Sequence, residues 1–212
     1  MATLLQPTFD ASLHQTVQAV VTVLAVINPV VCGSIFLTLT PTLASAQRRL
    51  AAIKVAFSIL IILTASALIG LKVLAVFNIS LDVFRIVGGM IIAFMGFDML
   101  RGRQTVAQAP EHDGAAASNS FAPLIMFAAG PGTITAVVTL AAVHTPDGLP
   151  VTALVASVVG AAATLAILLL AVKLGSHLNR GTQAVVTRFM GLIVASMGMQ
   201  FVLTGLKAFF AT

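Results

Sequence analysis

The sequence predicts an all-α integral membrane protein of six transmembrane helices, built as a 3+3 inverted repeat with helices 1 and 4 broken near mid-membrane. Three observations predict it. The composition cannot cover a water-soluble globule. Six apolar stretches are each long enough to cross a bilayer. The chain also resembles itself at an offset of 102 residues.

Hydrophobic residues make up 59% of the 212 and charged residues only 8%. Soluble domains run at about 45–50% apolar and about 25% charged. So few charges cannot solvate a globule, which excludes a soluble enzyme or a disordered tail. The balance of 11 Lys+Arg against 6 Asp+Glu gives +5, but the longest basic run is Arg48-Arg49. Nucleic acid is therefore not an expected partner; the lipid bilayer is. Cys32 is the one cysteine, which excludes an internal disulfide framework and any cysteine-rich metal site. With no Trp or Tyr, the 13 Phe and the cationic helix ends have to anchor the spans at the interfaces.

A span needs about 20 mostly apolar residues. Six are read, over residues 15–39, 51–77, 81–100, 120–143, 151–172 and 183–210. Residues 1–14 hold no Lys or Arg, so the first segment is read as a mature helix rather than a cleavable signal. Asn78, Ile79 and Ser80 form a very short hairpin, which makes spans two and three antiparallel neighbours. The whole chain, 1–212, is read as a single membrane domain. Repeat 1 covers about 15–100, a polar linker 101–119, and repeat 2 about 120–210. The links after spans one, three and five collect eight cations (Arg48, Arg49, Lys54, Arg101, Arg103, Lys173, Arg180 and Arg188) against three, Lys72, Arg85 and Lys207, on the other side. The positive-inside rule then places both termini outside the cytoplasm.

The offset of 102 aligns Pro29 with Pro131, Val83 with Val185, Gly89 with Gly191 and Ile91 with Ile193. It also aligns Ala93 with Ala195, Met95 with Met197 and Gly96 with Gly198. Three spans per repeat is an odd number of crossings, so the second copy sits upside down relative to the first. Secondary transporters commonly use this construction. Gly89, Ala93, Gly96 and their counterparts Gly191, Ala195, Gly198 form small-residue stripes that read as helix-packing faces.

Spans one and four carry the chemistry. Asn28-Pro29 lies in the middle of the first and Gly130-Pro131-Gly132 in the middle of the fourth. Proline has no amide to donate and clashes with the preceding turn, and glycine permits non-helical angles. In hydrocarbon such a break persists only where protein, water or ligand satisfies the freed groups. Half-helices that begin at the breaks would offer amide donors and positive dipole ends, and the carbonyls before them would be acceptors. That combination suits a small zwitterion. Asn28, Pro29, Gly130, Pro131, Gly132, Thr133 and Thr135 are the candidate binding residues; Asn28, Thr133 and Thr135 would add side-chain hydrogen bonds.

Two motifs here resemble a known family. Val26, Ile27, Asn28 and Pro29, followed by Phe36, Leu37, Thr38, Leu39, Thr40 and Pro41, resemble the first-span signature of the MarC family of bacterial membrane proteins. Phe121, Ala122, Pro123 and Leu124, followed by Ala129, Gly130, Pro131, Gly132 and Thr133, resemble its fourth-span signature. Where the family carries Gly and a second proline after the first motif, this chain has Val30, Val31, Cys32, Gly33 and Ser34. The resemblance implies a protein of the bacterial inner membrane related to small neutral amino acid transporters.

The leading expectation is a secondary transporter of small neutral amino acids. The alternative is a channel or a non-transporting membrane subunit. Enzyme function is not expected, because Asp98 is the one carboxylate near a span interior and it reads as an interfacial ion pair with Arg101. His14, His112, His144 and His177 fall in links without metal-ligand spacing. No cofactor is expected. Either H+ or Na+ would serve as coupling ion, since backbone carbonyls alone can bind one.

Overall fold

The computed structural model describes residues 6–102, 121–144, 148–174 and 180–211. Within them the chain forms eight helices and no strand: α1 (Gln6–Ile27), α2 (Pro29–Leu39), α3 (Ser45–Val76), α4 (Leu81–Leu100), α5 (Ala122–Ala128), α6 (Pro131–His144), α7 (Val151–Leu174) and α8 (Arg180–Ala211). They supply six segments long and apolar enough to cross a membrane: Leu13–Leu39, Ser45–Val76, Leu81–Leu100, Ala122–Ala142, Val151–Lys173 and Ala184–Ala211. The chain is an integral, multi-pass membrane protein. Phe57, Phe94 and Phe189 stand exposed on the outer faces of α3, α4 and α8, where lipid rather than water accommodates them. From residue 103 onward the expected linker lies outside the described residues, as do His112 and His177.

The second span starts earlier than its hydropathy suggests. The Gln47 side chain accepts from the Ala44 amide at 3.2 Å, so helical bonding begins before the apolar run does. Its far end closes in a Schellman turn, with the Ile79 amide on the Leu74 carbonyl (2.9 Å) and the Asn78 amide on that of Ala75 (3.0 Å). Asn78 takes the left-handed position, φ 54°. Ser80 then caps α4 by accepting from the Val83 amide at 3.3 Å.

That tight turn does not make α3 and α4 neighbours, contrary to the sequence expectation. α4 packs mainly on α8 and then α6, while α3 packs on α7, α6 and α5. Connection length constrains only the helix ends, whereas the glycine face of α4 sets its partner. A Cβ on Gly89 would lie 2.7 Å from the Gly198 carbonyl oxygen, and one on Gly96 2.7 Å from that of Gly191. A Cβ on Gly205 would lie 2.8 Å from the Asp82 carbonyl oxygen. The contacts 82–205, 89–198 and 96–191 advance by one heptad on each helix in opposite senses, so α4 and α8 run antiparallel, backbone to backbone.

The main core joins α1, α2, α3, α5, α6 and α7, around Ile27, Phe36, Ile59, Leu63, Leu124, Val137 and Leu168, and reaches α4 at Met99. A second, smaller cluster joins Val26 of α1, Ile92 of α4, Ala136 of α6 and Val194 of α8. Arg85 pairs with Asp82 at 3.5 Å on α4. Among the described residues, the expected Asp98–Arg101 pair does not come within ion-pair distance. Arg101, the C-cap of α4, is exposed, and a pair with an exposed partner gains little from closing at this spacing.

Candidate functional site

α1 ends at Ile27 and α2 begins at Pro29, with Asn28 between them at φ 51°, ψ 71°. Asparagine tolerates this left-handed position better than most residues, and proline is favoured at the first helical position after it. The local bonds are rerouted. The Asn28 amide still donates to the Leu24 carbonyl (2.9 Å) and the Cys32 amide to the Asn28 carbonyl (3.1 Å). The Val31 amide turns to Asn28 Oδ1 (3.4 Å), and the Cys32 thiol donates to the Ile27 carbonyl at 3.3 Å. Pro29 has no amide to give the Ala25 carbonyl. Asn28 is buried, and its Nδ2 has no hydrogen-bond partner among the described residues.

The second interruption falls at Ala129 and Gly130, between α5 and α6. Ala129 leaves helical angles at φ −117°, ψ 36°. A Cβ on Gly130 would collide with the Met126 carbonyl oxygen, so only glycine fits this bend. The Ile134 amide donates to the Gly130 carbonyl at 3.0 Å, which starts α6, and Pro131 leaves the Phe127 carbonyl without its helical donor.

These elements pack in a crossed pattern. α1 lies on α6 and α2 on α5, so the first half of one span meets the second half of the other. Phe36 of α2 stacks on Phe121 at the entrance to α5, with centroids 6.1 Å apart. α4 braces the start of α6: a Cβ on Gly132 would lie 2.8 Å from Ile92 Cγ1, and Gly88 abuts Thr135.

The sequence-selected residues divide accordingly. Asn28, Gly132, Thr133 and Thr135 are buried, whereas Pro131 is exposed. Pro29 is half-buried. Thr135 turns its hydroxyl back onto the Pro131 carbonyl at 2.9 Å, so its proton is already engaged. The amide supply is also unequal to expectation, because Asn28 itself consumes the Val31 donor. Residues 15–39 and 121–143 contain no Asp, Glu, Lys, Arg or His. The groups at the two interruptions are therefore neutral dipoles.

Thr139 was not among the selected residues, although it lies one turn beyond Thr135 on α6. Its hydroxyl is buried with no partner among the described residues. Ser34, Thr40, Ser157 and Thr164, by contrast, each donate to the carbonyl four residues back. Its spacing from Thr135 was the available signal. Thr139→Val is expected to leave the melting temperature in detergent unchanged or raised. Thr164→Val, which removes a 2.8 Å bond to Gly160, is expected to cost about 0.5–1 kcal/mol. A larger loss for Thr139→Val would mean that its hydroxyl is paired within the protein.

The family described as MarC family integral membrane protein matches residues 13–210. The chain belongs to the MarC family. It is similar to a UPF0056 membrane protein of Pyrococcus horikoshii, 33% identical over 187 residues, covering 88% of this chain and 91% of the relative. It is 32% identical over 204 residues to the UPF0056 membrane protein YvbG of Bacillus subtilis, covering 92% and 95%. It is 29% identical over 205 residues to the UPF0056 inner membrane protein MarC of Escherichia coli, covering 88% and 91%. No solved structure matches the chain.

Proposed function

We propose that this MarC-family protein is a secondary transporter of small neutral amino acids, a single membrane domain working by alternating access of one three-helix repeat against the other. The observation that carries the reading is the pair of helix interruptions, at Asn28 and at Ala129-Gly130, on two mutually packed spans that lack charged side chains. Helix ends that meet inside a membrane supply donors and acceptors to a ligand without any formal charge of their own. A net-neutral zwitterion matches such a site: its carboxylate lies toward the positive ends of α2 and α6, its ammonium toward the carbonyls of Ala25 and Phe127.

The α4–α8 contact supports the inverted repeat. At the offset of 102, Gly89 corresponds to Gly191 and Gly96 to Gly198. The pairs that touch are Gly89 with Gly198 and Gly96 with Gly191, the exchange that a two-fold axis imposes. The remaining spans also pack against their repeat counterparts, α3 on α7 and α1 on α6. The name of the E. coli relative supports residence in a bacterial inner membrane, and the cation distribution supports both termini outside the cytoplasm. No catalytic role or cofactor is part of this reading, and H+ or Na+ is the coupling ion.

Radiolabelled alanine and glycine flux in liposomes tests the proposal, under imposed H+ and Na+ gradients in both directions. Wild type is expected to give saturable flux, and Pro131→Ala and Gly132→Leu to reduce it at least tenfold while remaining folded. Non-saturating ohmic currents would replace the carrier with a channel. Absence of flux in every gradient would sink the amino acid assignment.

A further inference from the structure

Asn28 carries a donor that the fold leaves open. The residue is 2% exposed, and its left-handed backbone (φ 51°, ψ 71°) joins α1 to α2 within one span. Its Oδ1 accepts from the Val31 amide, which orients the carboxamide and turns Nδ2 into the free end. That Nδ2 has no hydrogen-bond partner among the described residues. A buried amide without an acceptor is costly in apolar surroundings, and more so where no bulk water reaches it.

The surroundings define the acceptor. Asn28 is the N-cap of α2, so the open donor sits at the positive end of an 11-residue helix, where an anionic oxygen is favoured over a neutral one. Pro29 offers no amide at this end and the Val31 amide is already taken, which leaves the Val30 amide and the Asn28 side chain as the donors there, and the side chain is the one that is buried. With no Asp, Glu, Lys, Arg or His in residues 15–39 or 121–143, neither a basic side chain competes for the anion nor an acidic one repels it.

We propose that Asn28 Nδ2 donates to the carboxylate of the bound amino acid and is the group by which the site selects a carboxylate over an uncharged amide. This rests on the transport reading above and adds the residue that sets specificity. The carboxamide then has two separable tasks, capping α2 through Oδ1 and holding ligand through Nδ2.

Asn28→Asp separates them. The aspartate keeps an acceptor for the Val31 amide, and its charge suits a helix N-terminus. It removes the donor and sets one carboxylate against another. Binding of alanine and of alaninamide to the purified full-length protein in detergent is the measurement, by calorimetry or ligand-induced thermal shift. Wild type is expected to prefer alanine at least tenfold. Asn28→Asp is expected to bind alanine at least tenfold more weakly and to lose that preference. Asn28→Gly, which accepts the left-handed backbone and removes the whole carboxamide, is expected to lose alanine affinity in the same way; it stands in if the aspartate variant does not fold. An undiminished preference for alanine in either folded variant overturns the role of Nδ2 and leaves the transport reading intact. Failure of wild type to bind alanine, glycine or serine overturns both.

Discussion

Gly198→Leu is expected to lower the stability of the purified protein by about 3 kcal/mol, the upper end of the usual overpacking range. The three atoms nearest to a Cβ at this position all belong to backbone: the Ala93 amide nitrogen, the Gly89 carbonyl oxygen at 2.6 Å and Ala93 Cα at 2.7 Å. A side chain can rotate out of the way, but a helix backbone can only translate. To admit leucine, α8 must move off α4 along its length, loosening the Gly96–Gly191 and Asp82–Gly205 contacts as well. Gly96→Leu should cost a similar amount, since its Cβ would strike the Ala195 backbone and lie 2.7 Å from the Gly191 carbonyl oxygen. Denaturant or thermal unfolding in detergent reads the effect, with Leu203→Ala on an exposed face of α8 as the reference. A leucine variant that unfolds together with that reference would disprove close packing of α4 on α8.

Gly130→Ala is the second change expected to have a large effect. One methyl group would be driven into the Met126 carbonyl oxygen, which is part of the bend that separates α5 from α6. Either the chain keeps its path and carries the overlap, or Ala129 and Gly130 take new angles and re-aim the start of α6. Both cost stability, about 2–3 kcal/mol, and the second also displaces Gly132 and Thr133. Gly160→Ala is the matched comparison. Its methyl would meet only Ile27 Cδ1 at 2.8 Å and Val23 Cγ1 at 3.1 Å, the tips of side chains that can turn aside. The expected order is a clear fall in melting temperature and alanine flux for Gly130→Ala and a small change in both for Gly160→Ala. Equal effects would mean that the bend at Gly130 has no special geometry.

The spans were legible in the sequence because length and apolar content are local quantities, and a bilayer demands both. Packing partners were not local. The turn through Asn78 joins α3 to α4 end to end, yet α4 takes its glycine face to α8, a choice made by the backbone approach that those glycines permit. The expected Asp98–Arg101 pair failed for a related reason: spacing along the chain brings two charges near, but a pair with an exposed partner gains too little from closing for spacing alone to decide whether they meet. At the candidate site, residue types named the prolines that strand the Ala25 and Phe127 carbonyls. They did not reveal that Asn28 Oδ1 would absorb the Val31 amide and leave Nδ2 as the open group. Nor did they separate Thr139 from the other buried hydroxyls, because that difference lies in which carbonyls the hydroxyls reach, not in residue type.

The partnership of α4 with α8 also has a consequence for synthesis. A ribosome delivers α4 into the membrane long before α8, the last helix of the described chain. Until α8 arrives, Gly89 and Gly96 face lipid or a temporary neighbour, with no backbone to close on. This backbone-to-backbone contact, the closest among the described helices, therefore forms late and joins the two halves of the chain. Assembly at this surface waits for α8 to be translated, so a nascent chain that stops short of residue 180 leaves α4 without the helix it is shaped to hold.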